Sequence, residues 1–311
     1  MIDLKPILQH AIKAVERAIP LTLDMQAGIT AVDKPDSTPV TAADIATQIM
    51  INDSLARVTP AFGMISEESS DSLSGNVLSE ACKQLQSHGL DLSDNQAVER
   101  LDFGKGFEDY TWVLDPIDGT KGYIRGAQYA IALALLHQGE VVLGVLGCPR
   151  HEFVDDTGAV FFTAKGQKAW TMTLSGNISL MSVDAISNPE DLQLTKGLIN
   201  SERNTSFIEG VLASVNNTKA PIEIDGMGKY AQIAGGQASA YLRRGGTKRK
   251  ESIWDHAAGT ILLQEAGGVV TDLHGKPLDF SQGPTLSANE GIIASNGHIH
   301  TALVDAAKPL L

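Results

Sequence analysis

DPIDGTKGYIRG, residues 115–126, decides how the rest of this chain is read. It sets Asp115 and Asp118 three residues apart in a stiff Pro/Gly turn, with the Thr120 hydroxyl directly behind them. The flanking runs WVL (112–114) and YAIALALL (129–136) are apolar and of strand length, so the turn is expected at the rim of a sheet. Paired carboxylates on a constrained turn suit hard divalent cations, which prefer oxygen ligands. The backbone N–H groups of Gly119 and Thr120 suit a phosphate oxygen, all the more if a helix begins there. Metal-assisted chemistry on a phosphate ester is the reading that follows.

Outward from that turn, residues 4–26 and 41–58 read as helices, the second opened by Thr41. Residues 71–109 are polar, with a short helical patch at 78–87, and are expected to form an insertion loop before the strand at 111–114. Apolar runs at 129–136, 140–147 and 159–163 suggest a meander, with an HQGE turn between the first two. The weakly periodic stretch 174–195 marks a lobe boundary. Beyond it, short strands at 197–200, 221–224, 239–243, 269–272 and 291–294 alternate with helices near 205–215, 228–236 and 254–266. A length of 311 residues is more than one core usually supports. The expectation is an N-terminal α+β lobe, 1–178, and a C-terminal α/β lobe, 179–311, closely packed.

Composition bounds the function. A formal charge of −13 argues against a binder of nucleic-acid polymers, whose backbones need a basic face. It leaves room for a small phosphorylated ligand, because cations and local basic residues set the field inside a cleft. The two cysteines, Cys82 and Cys148, offer neither a disulfide framework nor zinc spacing, which favours a reducing compartment. Charges break up the first helical stretch, and no segment reaches the roughly 20 apolar residues that span a bilayer. A soluble cytoplasmic protein, monomer or homodimer, is expected.

Four segments carry acids that ask for a reason. In TPVTAADIA, Thr41 and Asp44 have capping-box spacing, so capping alone explains Asp44. In GMISEESS, Glu67 and Glu68 follow a strand-like run and read equally well as a solvated pair. In the turn at 115–120, aspartates bonding their own backbone are the plain alternative. In ESIWDHAAGTILLQEAGG, Asp255 opens a helix that stops at Gly267, and N-capping suffices. Their conjunction weighs more than any one of them, since each stands at a strand end or helix start from which side chains can converge. Like charges 4 Å apart repel by about 4 kcal/mol at an intermediate dielectric, so a converged cluster calls for cations. The histidines are scattered, and the glycine pairs 235–236, 245–246 and 267–268 form neither a P-loop nor a dinucleotide fingerprint.

Taken in order, DSTPVTAADIATQ, SEES, WVLDPIDGTKGYIRGAQYAIALALL, VVLGVLGCP, KYAQIAGGQASAYLR and SIWDHAAGTILLQEAGGVVTDLHGKPLDF resemble the inositol monophosphatase superfamily. Within it they resemble most the 3′(2′),5′-bisphosphate nucleotidases, the Lys-Gly after DPIDGT being the distinguishing pair. The resemblance implies a layered αβαβα sandwich, two or three Mg²⁺ ions, lithium inhibition and hydrolysis of 3′-phosphoadenosine 5′-phosphate, with the phosphosulfate as a second substrate. It implies Glu67, Asp115 and the Ile117 carbonyl as ligands of one ion, and Asp115, Asp118 and Asp255 as ligands of another. It gives Asp44 and Thr120 the attacking water, with Asp44 holding the Thr120 hydroxyl. Asp118, Gly119, Thr120, Lys229 and Arg243 would contact substrate. The chain departs from the pattern at Gly226, where a serine is usual, and at Arg203, near a usual histidine. Both changes fall on the substrate side.

Three other readings compete. An inositol-phosphate or sugar-bisphosphate phosphatase on the same fold would use the same acids with different second-lobe contacts. An aspartyl-phosphate phosphatase would make Asp115 the nucleophile, but such enzymes place their aspartates two residues apart. A binding protein without turnover would have no need of Thr120.

Overall fold

The computed structural model describes residues 2–28, 31–33, 39–73, 75–153, 156–245 and 250–311. Residues 36–38 of the DSTPV segment and 246–249 of the basic run after Arg243 lie outside the described residues. Helix α1, Leu4–Gln26, buries Ile7, Leu8, Ala11, Ala14, Val15, Ala18 and Ile19, a stripe of helical period. A hairpin of β1, Ala31–Asp33, and β2, Pro39–Thr41, leads into α2, Ala42–Ala56, which is buried nearly all round. These two helices pack together on one face of a seven-stranded sheet. Its strands are β3 (Gly63–Ser66), β4 (Tyr110–Asp118), β5 (Ala130–His137), β6 (Glu140–Phe153), β7 (Asp156–Ala164), β8 (Trp170–Thr173) and β9 (Ile178–Leu180), in that spatial order. β3 pairs parallel to β4, and every other neighbouring pair is antiparallel.

The second sheet has the order β11-β10-β12-β14-β13. Its strands are β10 (Leu194–Lys196), β11 (Ile222–Glu223), β12 (Ala240–Arg243), β13 (Val269–Thr271) and β14 (Ile292–Ser295). Helices α7, Gly228–Ala234, and α8, Ala257–Glu265, lie between the two sheets, and α6, Glu202–Ser214, and α9, His300–Ala307, cover the far side. The layers are therefore α1/α2, sheet, α7/α8, sheet, α6/α9: the αβαβα sandwich that the sequence resemblance implied.

Helix α8 is seated without spacing. A Cβ on Gly144 of β6 would stand 2.8 Å from the Ala258 carbonyl oxygen and 2.6 Å from the Ile261 side chain. On another side of the helix, Gly259 lies directly against the Tyr230 ring. The turn Ile253–Asp255 just before α8 is thereby held beside β4 and β5.

Three features differ from the sequence reading. The DPID segment is not a free turn. β4 runs through it with a shift of register, Asp115 opposite Ala132 and Asp118 opposite Ala130, so three steps on β4 match two on β5. Pro116, which has no N–H for the ladder, sits in that bulge, and bulges re-aim neighbouring side chains. Residues 71–109 are not a loop either. They form α3, Gly75–Ser87, and α4, Asp94–Leu101, which bury Ala81, Leu85, Ala97 and Leu101 against α2. Their polar outer faces hid that stripe. Finally, β9 extends the first sheet to Leu180, and the chain crosses to the second sheet between Leu180 and Leu194.

Replacing Gly144 with Ala should overpack the α8–β6 contact and cost about 1–3 kcal/mol of stability, read as a lower urea midpoint at unchanged slope.

Candidate active site

Asp44 stands in the first turn of α2, and its capping role is real. The Thr41 N–H and hydroxyl donate to Asp44 Oδ2 at 2.8 and 2.6 Å, and Thr41 Oγ1 accepts from Ala43 and Asp44 in return. The other oxygen, Oδ1, is buried with no hydrogen-bond partner among the described residues. Capping uses half of this carboxylate and leaves the other half facing its neighbours. One and two turns on, the same helix presents Gln48 and Asn52. Gln48 donates to the Glu68 carbonyl at 2.8 Å and accepts from the Glu68 N–H at 3.2 Å, which fixes the end of β3 where Glu67 and Glu68 stand. Asn52 and Gln48 also hold the carbonyls of Arg100 and Leu101 at the end of α4.

Asp115 is buried, and its Oδ1 accepts from the Ile117 N–H at 3.1 Å. The backbone-bonding alternative is thus also half true. Thr120 opens α5, Thr120–Ile124, behind Gly119, whose φ of +91° is left-handed backbone that glycine adopts without strain. The Thr120 hydroxyl donates to the Ile117 carbonyl at 3.1 Å, so it is not held by Asp44 as the resemblance implied. Asp44 bonds Thr41 through Oδ2 and leaves Oδ1 without a partner. Helix α1 keeps α5 in place. Gln26 donates to the Tyr123 and Ala127 carbonyls at 3.1 Å, and the Tyr123 hydroxyl donates to the Thr22 carbonyl at 2.7 Å.

The second half of the chain completes the cluster. Asp255 lies in the turn ahead of α8, and no side chain caps that helix, so the capping explanation fails for it. Carboxylate oxygens of Asp115, Asp118 and Asp255 lie within 4.8 Å of one another. Glu67 joins them, since its charge raises the pKa of Asp44, Asp115, Asp118 and Asp255. The loop before α7 docks on the β4 bulge. A Cβ on Gly119 would stand 2.9 Å from the Gly226 N, and one on Gly226 2.6 Å from the Asp118 carbonyl. Arg125 meets Asp225 at 2.7 Å across the same seam. The Lys229 ammonium bonds the Gly226 carbonyl and lies 5.5 Å from the centre of the Tyr241 ring. Arg243 Nε donates to Glu251 Oε2 at 2.7 Å.

The electrostatics follow from crowding. Burial raises Asp44 and Asp115 far above the usual carboxylate range, and the surrounding acids add to it. Burial lifts Asp118 to about 6 although Lys229 and Arg243 oppose the shift, and burial with Asp118 lifts Asp255 to about 8. Burial alone would also raise Glu251, but His256 and Arg243 outweigh it and hold it at about 2. An all-oxygen donor set, unpaired charge and an orphaned buried oxygen together fit a hard divalent cation.

Asp44, Glu67, Asp115, Asp118 and Asp255 therefore converge, with Thr120, Lys229 and Arg243 beside them. Sequence reasoning missed Gln48, Asn52, Glu251 and the burial of Glu68. Gln48 and Asn52 lie four and eight residues after Asp44, a polar row at helical spacing on an otherwise largely apolar helix, and that row is a usable signal.

The inositol monophosphatase family model matches residues 3–310. A rice protein named 3′(2′),5′-bisphosphate nucleotidase is 35% identical over 91% of this chain and 87% of its own. One of the same name from Dictyostelium discoideum is 34% identical over 98% and 97%. Among solved structures, a Thermotoga maritima IMPase superposes with a TM-score of 0.70 at 22% identity, covering 98% of each chain. An inositol monophosphatase from Anabaena gives 0.68 at 23%, covering 98% of this chain and 96% of its own. At those identities the solved structures bear on the fold alone.

The raised acids set a pH dependence. Folding lifts Asp118 and Asp255 above the 3.8 of a free aspartate, so the stability they contribute is full below that value. It is lost as the pH rises through about 6 and then about 8. Chelator-treated protein should melt at progressively lower temperature between those pH values. A divalent cation should restore the melting temperature most at the alkaline end, and where it binds below about pH 8 it should release protons, which calorimetry in buffers of different ionisation enthalpy will count.

Proposed function

This chain belongs to the inositol monophosphatase family, and from that premise we propose that it is a Mg²⁺-dependent 3′(2′),5′-bisphosphate nucleotidase. Its substrate would be 3′-phosphoadenosine 5′-phosphate, released as AMP and phosphate, with the phosphosulfate as a second substrate and a place in sulfur metabolism. The observation that carries this reading is the gathering of Asp44, Glu67, Asp115, Asp118 and Asp255 from separate elements beside two cationic side chains. The names of its relatives at 34–35% identity supply the substrate.

In this reading Glu67, Asp115, Asp118, Asp255 and the Ile117 carbonyl hold two or three Mg²⁺ ions. When bound, these ions acidify the attacking water and neutralise charge on the leaving oxygen. Asp44 would take a proton from that water, a role supported by its buried and unpartnered Oδ1. Thr120 orients it, once its hydroxyl turns from the Ile117 carbonyl. Gly119 and Thr120 present backbone N–H groups to the scissile phosphate, and Asp118 faces the same space. Lys229 and Arg243 take the second phosphate, a role suited to cations fixed in a partly desolvated cleft. Gly226 has no side chain to add to that contact, so the burden falls on these two. Residues 1–178 thus carry most of the metal ligands, and 179–311 carry Asp255 and the nucleotide contacts. Residence in the cytoplasm accords with free Cys82 and Cys148.

Phosphate release from 3′-phosphoadenosine 5′-phosphate should require Mg²⁺, fall on addition of lithium, and clearly exceed release from inositol 1-phosphate. Equal turnover of both substrates would move the assignment to inositol phosphates on the same metal site. Asp115→Asn should abolish release, because it removes charge from the central ligand. Thr120→Ala should cut kcat by about 100-fold while leaving the Mg²⁺ concentration for half-activation within about threefold, the signature of water positioning rather than metal holding.

A further inference from the structure

Arg243 stands in a precarious place. Its charge lowers the pKa of both Asp118 and Asp255, so it lies within reach of the carboxylates proposed to hold metal. A long, mobile cation beside such acids would fold onto them and be lost to any substrate. Something must hold it off.

That group is Glu251. Its Oε2 accepts from Arg243 Nε at 2.7 Å, and the carboxylate is only 8% exposed whereas the Arg243 side chain is 43% exposed. With Nε taken by Glu251, the two terminal nitrogens form the edge that can match phosphate oxygens, beside the Tyr241 hydroxyl that also bonds this guanidinium. Glu251 is itself immobile. Its carbonyl accepts from the Leu286 N–H at 2.8 Å, the next residue pairs with Thr285, and its side chain lies directly against Gly245. Behind it, His256 Nε2 meets Glu251 Oε2 at 3.5 Å and His256 Nδ1 meets the Tyr230 hydroxyl at 2.9 Å. Tyr230 adjoins Lys229 in α7, so one buried chain of contacts, Tyr230–His256–Glu251–Arg243, links the two cations of the cleft.

We propose that Glu251 is a positioning residue that sets the specificity of the site: it fixes the Arg243 guanidinium so that its outer edge meets the second phosphate of a bisphosphate. This rests on the reading of Arg243 as a substrate contact given above. Glu251 touches neither substrate nor metal in this scheme and acts only through Arg243.

The test compares two substrates that share a scissile phosphate and differ in the other: 3′-phosphoadenosine 5′-phosphate and adenosine 3′-monophosphate, at saturating Mg²⁺. The parent should prefer the bisphosphate. Glu251→Gln, which keeps shape and removes charge, should raise KM for the bisphosphate about tenfold or more, the scale of a lost charge-assisted contact, and change the monophosphate far less. Tyr230→Phe should shift the same ratio in the same direction by about threefold, a partial loosening at the far end of the chain. If Glu251→Gln does not fold, as a melting curve will show, Tyr230→Phe alone decides. Equal losses on both substrates, or no change in the ratio, overturn the positioning role. A parent with no preference for the bisphosphate overturns the reading of Arg243 itself, and this proposal with it.

Discussion

Mutual repulsion among Asp44, Glu67, Asp115, Asp118 and Asp255 is the constraint around which this molecule is built. Each pair of such charges opposes folding by a few kcal/mol at close range, and the nearby Lys229 and Arg243 offset only part of it. The acids can be brought together only because each rides on an element anchored elsewhere. Helix α2 is secured in the core beneath the first sheet, β4 is paired on both sides by β3 and β5, and α8 sits on β6 with only Gly144 between. Apolar burial well away from the site imposes the geometry, and protonation at Asp118 and Asp255 relieves part of the strain until a cation does so.

The seam between the two halves follows from the same requirement. The β4 bulge turns Asp115 and Asp118 toward the loop before α7, and that loop approaches so closely that glycine stands on both sides, Gly119 and Gly226. The approach brings the Met227 N–H and the Lys229 charge to bear on Asp118, opposing the rise that burial imposes. A side chain at Gly226 would meet the Asp118 carbonyl, so this close seating and a side-chain contact from that position are alternatives. The departure at Gly226 is thus tied to the packing of the β4 bulge.

The acidic constellation was legible because carboxylates in short, stiff segments are chemically conspicuous, and because six blocks in order carry a family resemblance. The layered fold came with that resemblance, while helix and strand positions came from periodicity. Legibility failed where a residue's meaning depends on what folding brings to it. Residues 71–109 hid a buried stripe under a polar composition. The DPID run looked like a turn because Pro and Gly usually make one, yet a strand can absorb them as a bulge. Asp255 looked like a cap, and only the neighbouring backbone shows that it caps nothing. Glu251 stands four residues before Asp255 with no signal at all, since its partner Arg243 ends β12 eight residues earlier and only the fold brings the two together.

Asp255 and Glu251 show why proximity alone does not make a ligand set. Glu251, Asp255 and His256 also place ligand atoms within 4.8 Å of one another, as Asp115, Asp118 and Asp255 do. The first group is already paired: Glu251 Oε2 accepts from Arg243, and His256 Nδ1 from or to the Tyr230 hydroxyl. Two carboxylates in one pocket consequently move in opposite directions, Glu251 down to about 2 and Asp255 up to about 8. The satisfied acid gains little from a cation, whereas the unsatisfied one gains its whole counter-charge. Asp255 therefore groups with Asp115 and Asp118 as a raised acid, while a guanidinium fixed by Glu251 stands in the same cleft of a protein of formal charge −13.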